Sequence, residues 1–141
     1  MRVRTAMAGA TAAMLVALSG ALLAPAPAQA ASRYIGTNAV ESRCQYLYKV
    51  CLYFSTWTSA YWAANGSDST LQGDRYRSGT GSGSGEAVRN NSRKIYCDYF
   101  VVNLCDSYVY PGHTGNDDYL YYEQRGELYH TWNNNASVRL T

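Results

Sequence analysis

"QYLYKVCLYF", Gln45 to Phe54, sets Tyr46, Tyr48, Val50, Leu52 and Phe54 on one parity. Successive side chains of a strand point to opposite faces, so apolar residues at every second position mark a strand with one face buried. A strand is therefore expected across the whole stretch. Three other runs read the same way: "RKIYCDYFVV" (93–102), "DSYVYPG" (106–112) and "DYLYYEQ" (118–124), each bounded by Asn, Gly, Pro or Asp. All 14 Tyr, 3 Trp and 2 Phe follow residue 33, while Leu and Ile are few. Aromatic residues suit a pleated, half-buried surface better than a helix. No segment after Ala31 sustains a helical period with caps, so the expected class is all-β.

The chain opens "MRVRTAMAGATAAMLVALSGALLAPAPAQA". Arg2 and Arg4 precede a short apolar run, Pro25 and Pro27 interrupt it, and Ala28-Gln29-Ala30 offers small residues for cleavage. Residues 1–30 are thus expected to be a secretory signal peptide rather than a membrane span, with Ala31 starting the mature chain. The remaining 111 of 141 residues suffice for one small domain. Removing Arg2 and Arg4 leaves ten Lys+Arg against ten Asp+Glu. That balance argues against nucleic acid or an anionic membrane as partner.

Cys44, Cys51, Cys97 and Cys105 all lie in the mature part. In an exported chain two disulfides are expected, and the spacing does not match that of structural zinc sites. An extended strand would hold Cys97 and Cys105 about 26 Å apart, and Cys44 and Cys51 about 23 Å. A disulfide needs Cα atoms within about 7 Å. Either each local pair closes a reversed loop, or the pairs cross, 44 with 97 or 105 and 51 with the other. Asp98 and Asn103 offer turn formers between the second pair. Residues 45–50 contain no Gly, Pro, Asn or Asp, which weighs against a local loop there.

"RSGTGSGSGE", Arg77 to Glu86, cannot pack a core and is expected to be a mobile loop. Its glycines fit neither phosphate-binding register. A weak internal repeat relates "CLYFSTWTSAYW" and the later "EAVRNNS" to "YVYPGHTGNDDYL" and the later "NNNASVRL". Two copies of a four-strand unit would account for the length. The sequons at Asn65, Asn90 and Asn135 are read as turn residues.

Catalytic signatures are sparse. His113 and His130 are too far apart for H-E-x-x-H, and no serine sits in G-x-S-x-G. His113 in "PGHTG" reads as a turn residue, His130 in "LYHTW" as a strand residue, and Asp117 and Asp118 as turn formers. Paired cysteines leave no thiolate nucleophile. A binding protein is expected rather than an enzyme, with no catalytic residue and no cofactor.

A cysteine pair opening the domain, "CLY" after it, "AVRNNS" midway, a second pair, and "NNNASVRL" together resemble the small secreted bacterial peptidase-inhibitor family, which includes metalloproteinase inhibitors with a βγ-crystallin-like fold. The resemblance implies a βγ-crystallin-like Greek-key β-sandwich, a single small disulfide-containing domain over 43–141 behind an N-terminal arm at 31–42. It also implies local disulfide pairing. Asn133, Asn134 and Ser137 match part of the crystallin calcium motif, but Val138 stands where the last Ser belongs, so no metal is expected.

The implied function is secreted, extracellular, monomeric inhibition of a protease, a metalloprotease above others. Asp98, Tyr99, Phe100, Val101 and Val102 would form the inhibitory loop, laid as an extra strand into the target's cleft. The family places an apolar residue after the reactive bond, whereas Cys97 is followed by Asp98. The bond would then shift to Asp98-Tyr99 or Tyr99-Phe100, the target would differ, or the loop would be structural. The alternative is a glycan- or cell-surface-binding module in which Trp57, Trp62, Trp132 and the tyrosines stack on sugar faces.

Overall fold

The structure, a computed structural model, describes residues 29–39, 41–98 and 103–141. Residues 1–28, within the expected signal peptide of 1–30, together with residue 40 and residues 99–102 of the expected inhibitory loop, lie outside the described residues. In chain order the strands are β1 (Ser32–Tyr34), β2 (Thr37–Asn38), β3 (Val50–Tyr53), β4 (Tyr61–Ala64), β5 (Lys94–Cys97), β6 (Leu104–Tyr110), β7 (Thr114–Tyr121), β8 (Gln124–Glu127) and β9 (Ser137–Leu140). The described residues contain no helix, and the chain is all-β in two sheets.

One sheet has the order β1-β7-β6-β9 and the other β2-β8-β5-β3-β4. All pairings are antiparallel except β1 with β7. An isolated bridge, Asp68 to Val138, continues the first sheet past β9 through a reciprocal pair of 2.8 Å backbone bonds. The second half of the chain thus lends a strand to the sheet of the first, and the first half lends a bridging segment to the sheet of the second. β8 pairs with β5, and the Asp68 segment pairs with β9.

The main core draws on both sheets, with Val50, Leu52 and Ile95 from one and Cys105, Leu120 and Val138 from the other, all fully buried. Trp62 is 8% exposed and belongs to this core, so the expectation that it is available to a sugar is overturned. Tyr53, Tyr61 and Tyr96 form a second cluster with Cys44 and Cys51. Alternating residues of β3 serve the two clusters, Val50 and Leu52 the first and Cys51 and Tyr53 the second. This accounts for the Tyr-rich, Leu-poor composition.

Both disulfides are local. Cys44–Cys51 and Cys97–Cys105 have Cα separations of 6.2 and 5.8 Å. Closing loops this short removes unfolded-state entropy worth about 2.5 kcal/mol each in the chain-entropy model. The first loop corrects the expected long strand. β3 begins only at Val50, and residues 42–47 coil through turns in which Gln45 N–H bonds Glu41 O and Tyr48 N–H bonds Cys44 O. Tyr46 supplies the reversal at φ +61° without any Gly, Asn or Asp.

The Gly/Ser-rich segment is also corrected: it is hydrogen-bonded to the body of the domain. Ala60 N–H bonds Ser82 O at 2.9 Å and Arg77 N–H bonds Tyr61 O at 3.0 Å. The Arg43 guanidinium reaches Ser59 O and Thr80 O, both at 2.7 Å, tying the first disulfide loop to this segment. Gly83, at φ +84°, lies directly against the Phe54 ring. The glycines allow a close approach of backbone to ring, and composition alone cannot distinguish that use from flexibility.

Asp117 and Asp118 are strand residues of β7 rather than turn formers. His130 lies in a bend after β8 rather than in a strand, while His113 does occupy a turn, at φ +59°. The two Asn-rich copies of the repeat meet. Buried Asn135 accepts from Asn91 N–H at 3.2 Å and Ser92 N–H at 3.0 Å, and its own carbonyl accepts from Asn90 N–H at 2.7 Å.

Candidate functional site

The two disulfide loops converge at one end of the β5–β8 ladder. Cys97 closes β5 opposite Gln124 of β8, and Cys105 lies in β6, where neighbouring Leu104 pairs with Tyr121 of β7. The segment between the cysteines therefore passes from one sheet to the other, with both feet fixed by strand pairing and by a disulfide whose sulfurs are fully buried. Asn103 N–H, at the second foot, bonds Thr141 O at 2.7 Å.

Asp98 is the first residue beyond β5 and is fully buried. Its N–H bonds Lys49 O at 2.8 Å, and its carboxylate accepts from Tyr46 N–H at 3.1 Å and the Tyr96 hydroxyl at 3.3 Å. Burial, followed by the Asp98 charge, holds the Tyr96 phenol well above its usual pKa, so it stays protonated and donates. Asp98 thus clamps the second disulfide loop to the first and acts as an anchor instead of a displayed residue. Tyr99, Phe100, Val101 and Val102, the rest of the expected inhibitory loop, lie outside the described residues.

Exposed apolar groups surround these feet. Tyr46 and Leu47, on the first disulfide loop, are each 63% exposed, and Tyr121 and Tyr122 are each 47% exposed. An open depression of about 620 Å³ lies beside them, lined by Asn38, Ala39, Tyr121, Tyr122, Glu123 and Gln124. A rigid end carrying several solvent-facing aromatics is the composition expected of a contact surface. The role of Asp98 as an anchor is missed by sequence reasoning, because its partners Tyr46 and Lys49 lie some fifty residues away and no local motif marks them.

The calcium-motif remnant is held by the fold through the backbone of Asn133 and Asn134 and the side chain of Ser137. Asn133 N–H bonds Ser92 O, Asn134 N–H bonds Thr131 O, and the buried Ser137 hydroxyl donates to Tyr110 O while accepting from His113 N–H. Among the described residues no group of three or more His, Cys, Asp or Glu is placed to hold a metal. His113 Nε2 lies 3.2 Å from Asp68 O and 3.0 Å from Val138 O, bracing the exchanged strand segment. Of the other tryptophans expected at a binding face, Trp57 is half-buried beneath cationic side chains and Trp132 is 48% exposed.

The N-terminal arm is built into both sheets, β1 beside β7 and β2 beside β8. Among the described residues no helix is long and apolar enough to cross a membrane. No family model, no curated protein and no solved structure matches this chain.

Proposed function

We propose that this protein is a secreted, monomeric peptidase inhibitor of metalloproteases, acting through the loop closed by Cys97 and Cys105. The observation that carries the reading is the double fixing of that loop. The disulfide holds its feet 5.8 Å apart, and Asp98 ties the first foot to the neighbouring disulfide loop. A loop whose feet are fixed before binding has less freedom to lose in a cleft, and braced feet hold the two ends together if a peptide bond between them is cut. With Asp98 turned inward, the segment offered to the target is Tyr99 to Val102, and the reactive bond is Tyr99-Phe100.

The strand exchange supports the finer fold assignment. β3, β4, the Asp68 segment and β5 make one four-membered unit, and β6 to β9 make the other, with the third member of each crossing to its neighbour's sheet. This is the arrangement expected of paired Greek keys in a βγ-crystallin-like sandwich. Two disulfides agree with an extracellular location.

The test is an inhibition assay against a panel of secreted metallo- and serine proteases. Micromolar or tighter inhibition of a metalloprotease is expected, with Phe100→Ala weakening it by about tenfold or more. Absence of inhibition across the panel at micromolar concentration overturns the reading. Asp98→Ala is expected to raise the inhibition constant about tenfold with both disulfides intact, because the loop then loses its tether and must be ordered on binding. Asp98→Asn, which keeps an acceptor for Tyr46 N–H, should recover most of the loss.

A further inference from the structure

At the opposite end of the β5–β8 ladder, cations and aromatics are interleaved. The Arg33 guanidinium lies 3.7 Å from the Tyr129 ring centre and the Arg93 guanidinium 5.5 Å from that of Trp132. Arg125 and Lys94 lie 4.9 and 5.1 Å from the Trp57 ring centre. An open groove of about 530 Å³ runs between the arm and the core here, and a smaller hollow of about 200 Å³ adjoins it, both bordered by Trp132 and Glu127. Tyr129 is 60% and Trp132 48% exposed.

The charges are unevenly committed. Lys94 is ion-paired with Glu127, and Arg125 faces Glu41 at 3.9 Å. Among the described residues, Arg33 and Arg93 make neither an ion pair nor a side-chain hydrogen bond. Two guanidinium forks, each resting on an aromatic ring, therefore have donors to offer a ligand. From Ala31 onward the charges balance, yet four of the ten cations gather here, two at the groove and two at the adjoining hollow, and Glu127 is the acid in the lining of both.

We propose that this groove binds a carboxylate-bearing glycan, with Arg33 and Arg93 forking the acid groups and Tyr129 and Trp132 packing against sugar ring faces. A planar guanidinium matches a carboxylate bidentately, and a ring already beneath it limits its rotamers before binding. Amphipathic aromatics supply apolar area beside a polar rim, which suits a ring bearing both C–H faces and hydroxyls. A nucleic acid would need a longer basic track than a charge-balanced domain provides.

The test is titration of the purified protein with an oligogalacturonate, followed by tryptophan fluorescence and calorimetry. A neutral cello-oligosaccharide and a thymidylate oligomer serve as controls. Saturable uronate binding that weakens with salt is expected, with about a tenfold loss in Arg93→Ala and in Trp132→Ala. Arg93→Lys should recover little, because the point charge lacks the fork. Protease inhibition by these variants should be unchanged. Absence of uronate binding overturns the proposal, as do equal affinity for the neutral oligomer, equal or tighter binding of thymidylate, and full affinity in a folded Arg33→Ala, Arg93→Ala double variant.

Discussion

Replacing Asp118 with alanine is expected to cost about 3–5 kcal/mol of folding free energy, read as a shift of the urea midpoint at neutral pH. Its carboxylate is fully buried in β7 and accepts from Tyr129 N–H at 2.9 Å, His130 N–H at 3.1 Å, Thr131 N–H at 2.8 Å and the Thr131 hydroxyl at 2.8 Å. Three successive amides converge on one anion, and alanine would leave them without their acceptor. Asparagine keeps one oxygen but turns an amide N–H₂ toward donors, so Asp118→Asn is expected to recover less than half the loss. A domain of this size is stable by about 5–15 kcal/mol in total, so either change should be visible at once. A loss below about 1 kcal/mol would mean that water takes the carboxylate's place. Tyr129 follows β8 on the segment that these bonds hold, so the same variants should blunt any uronate binding.

Gly83→Ala is the second large effect, expected at about 2–5 kcal/mol. A Cβ there would lie 2.2 Å from Phe54 Cγ, on a backbone with φ +84°. The obstruction is the body of the ring, so relief requires moving Phe54 out of its packing against Tyr76. Gly79→Ala separates the two causes. Gly79 also has positive φ, +72°, but nothing lies within 4 Å of its added Cβ. About 1–2 kcal/mol is expected there, from backbone conformation alone. Thermal unfolding of both variants would decide the matter. Equal small losses would show that the segment yields around Phe54, restoring the mobile-loop reading.

The all-β class is legible in the sequence because aromatic alternation reports a local property, the side of the sheet to which each residue points. Strand limits are less legible. The parity of Val50 and Leu52 continues through Tyr46 and Tyr48, yet closure of Cys44 onto Cys51 forces a reversal that no turn-forming residue announces. The Gly/Ser-rich segment misleads for the converse reason: its order comes from Arg43 and Phe54, both distant in sequence. Asp117 and Asp118 follow Gly115-Asn116 and look like a turn, but the reversal falls earlier, at Pro111 to His113, and β7 already begins at Thr114. The repeat is visible as two Asn-rich strings. Their contact through Asn135 is not, because pairing between copies leaves no mark within either. Nor does any local pattern show that Arg33 of the arm meets Tyr129 some hundred residues later.

Exchange of strands between the halves makes the domain indivisible. Residues 43–98 alone would lack β8, leaving one flank of β5 open, and the Asp68 segment would have no β9 to join. A ribosome that has released only this half has released nothing able to close. Collapse into the native sheets must wait for Ser137–Leu140, which completes the sheet that holds β6 and β7.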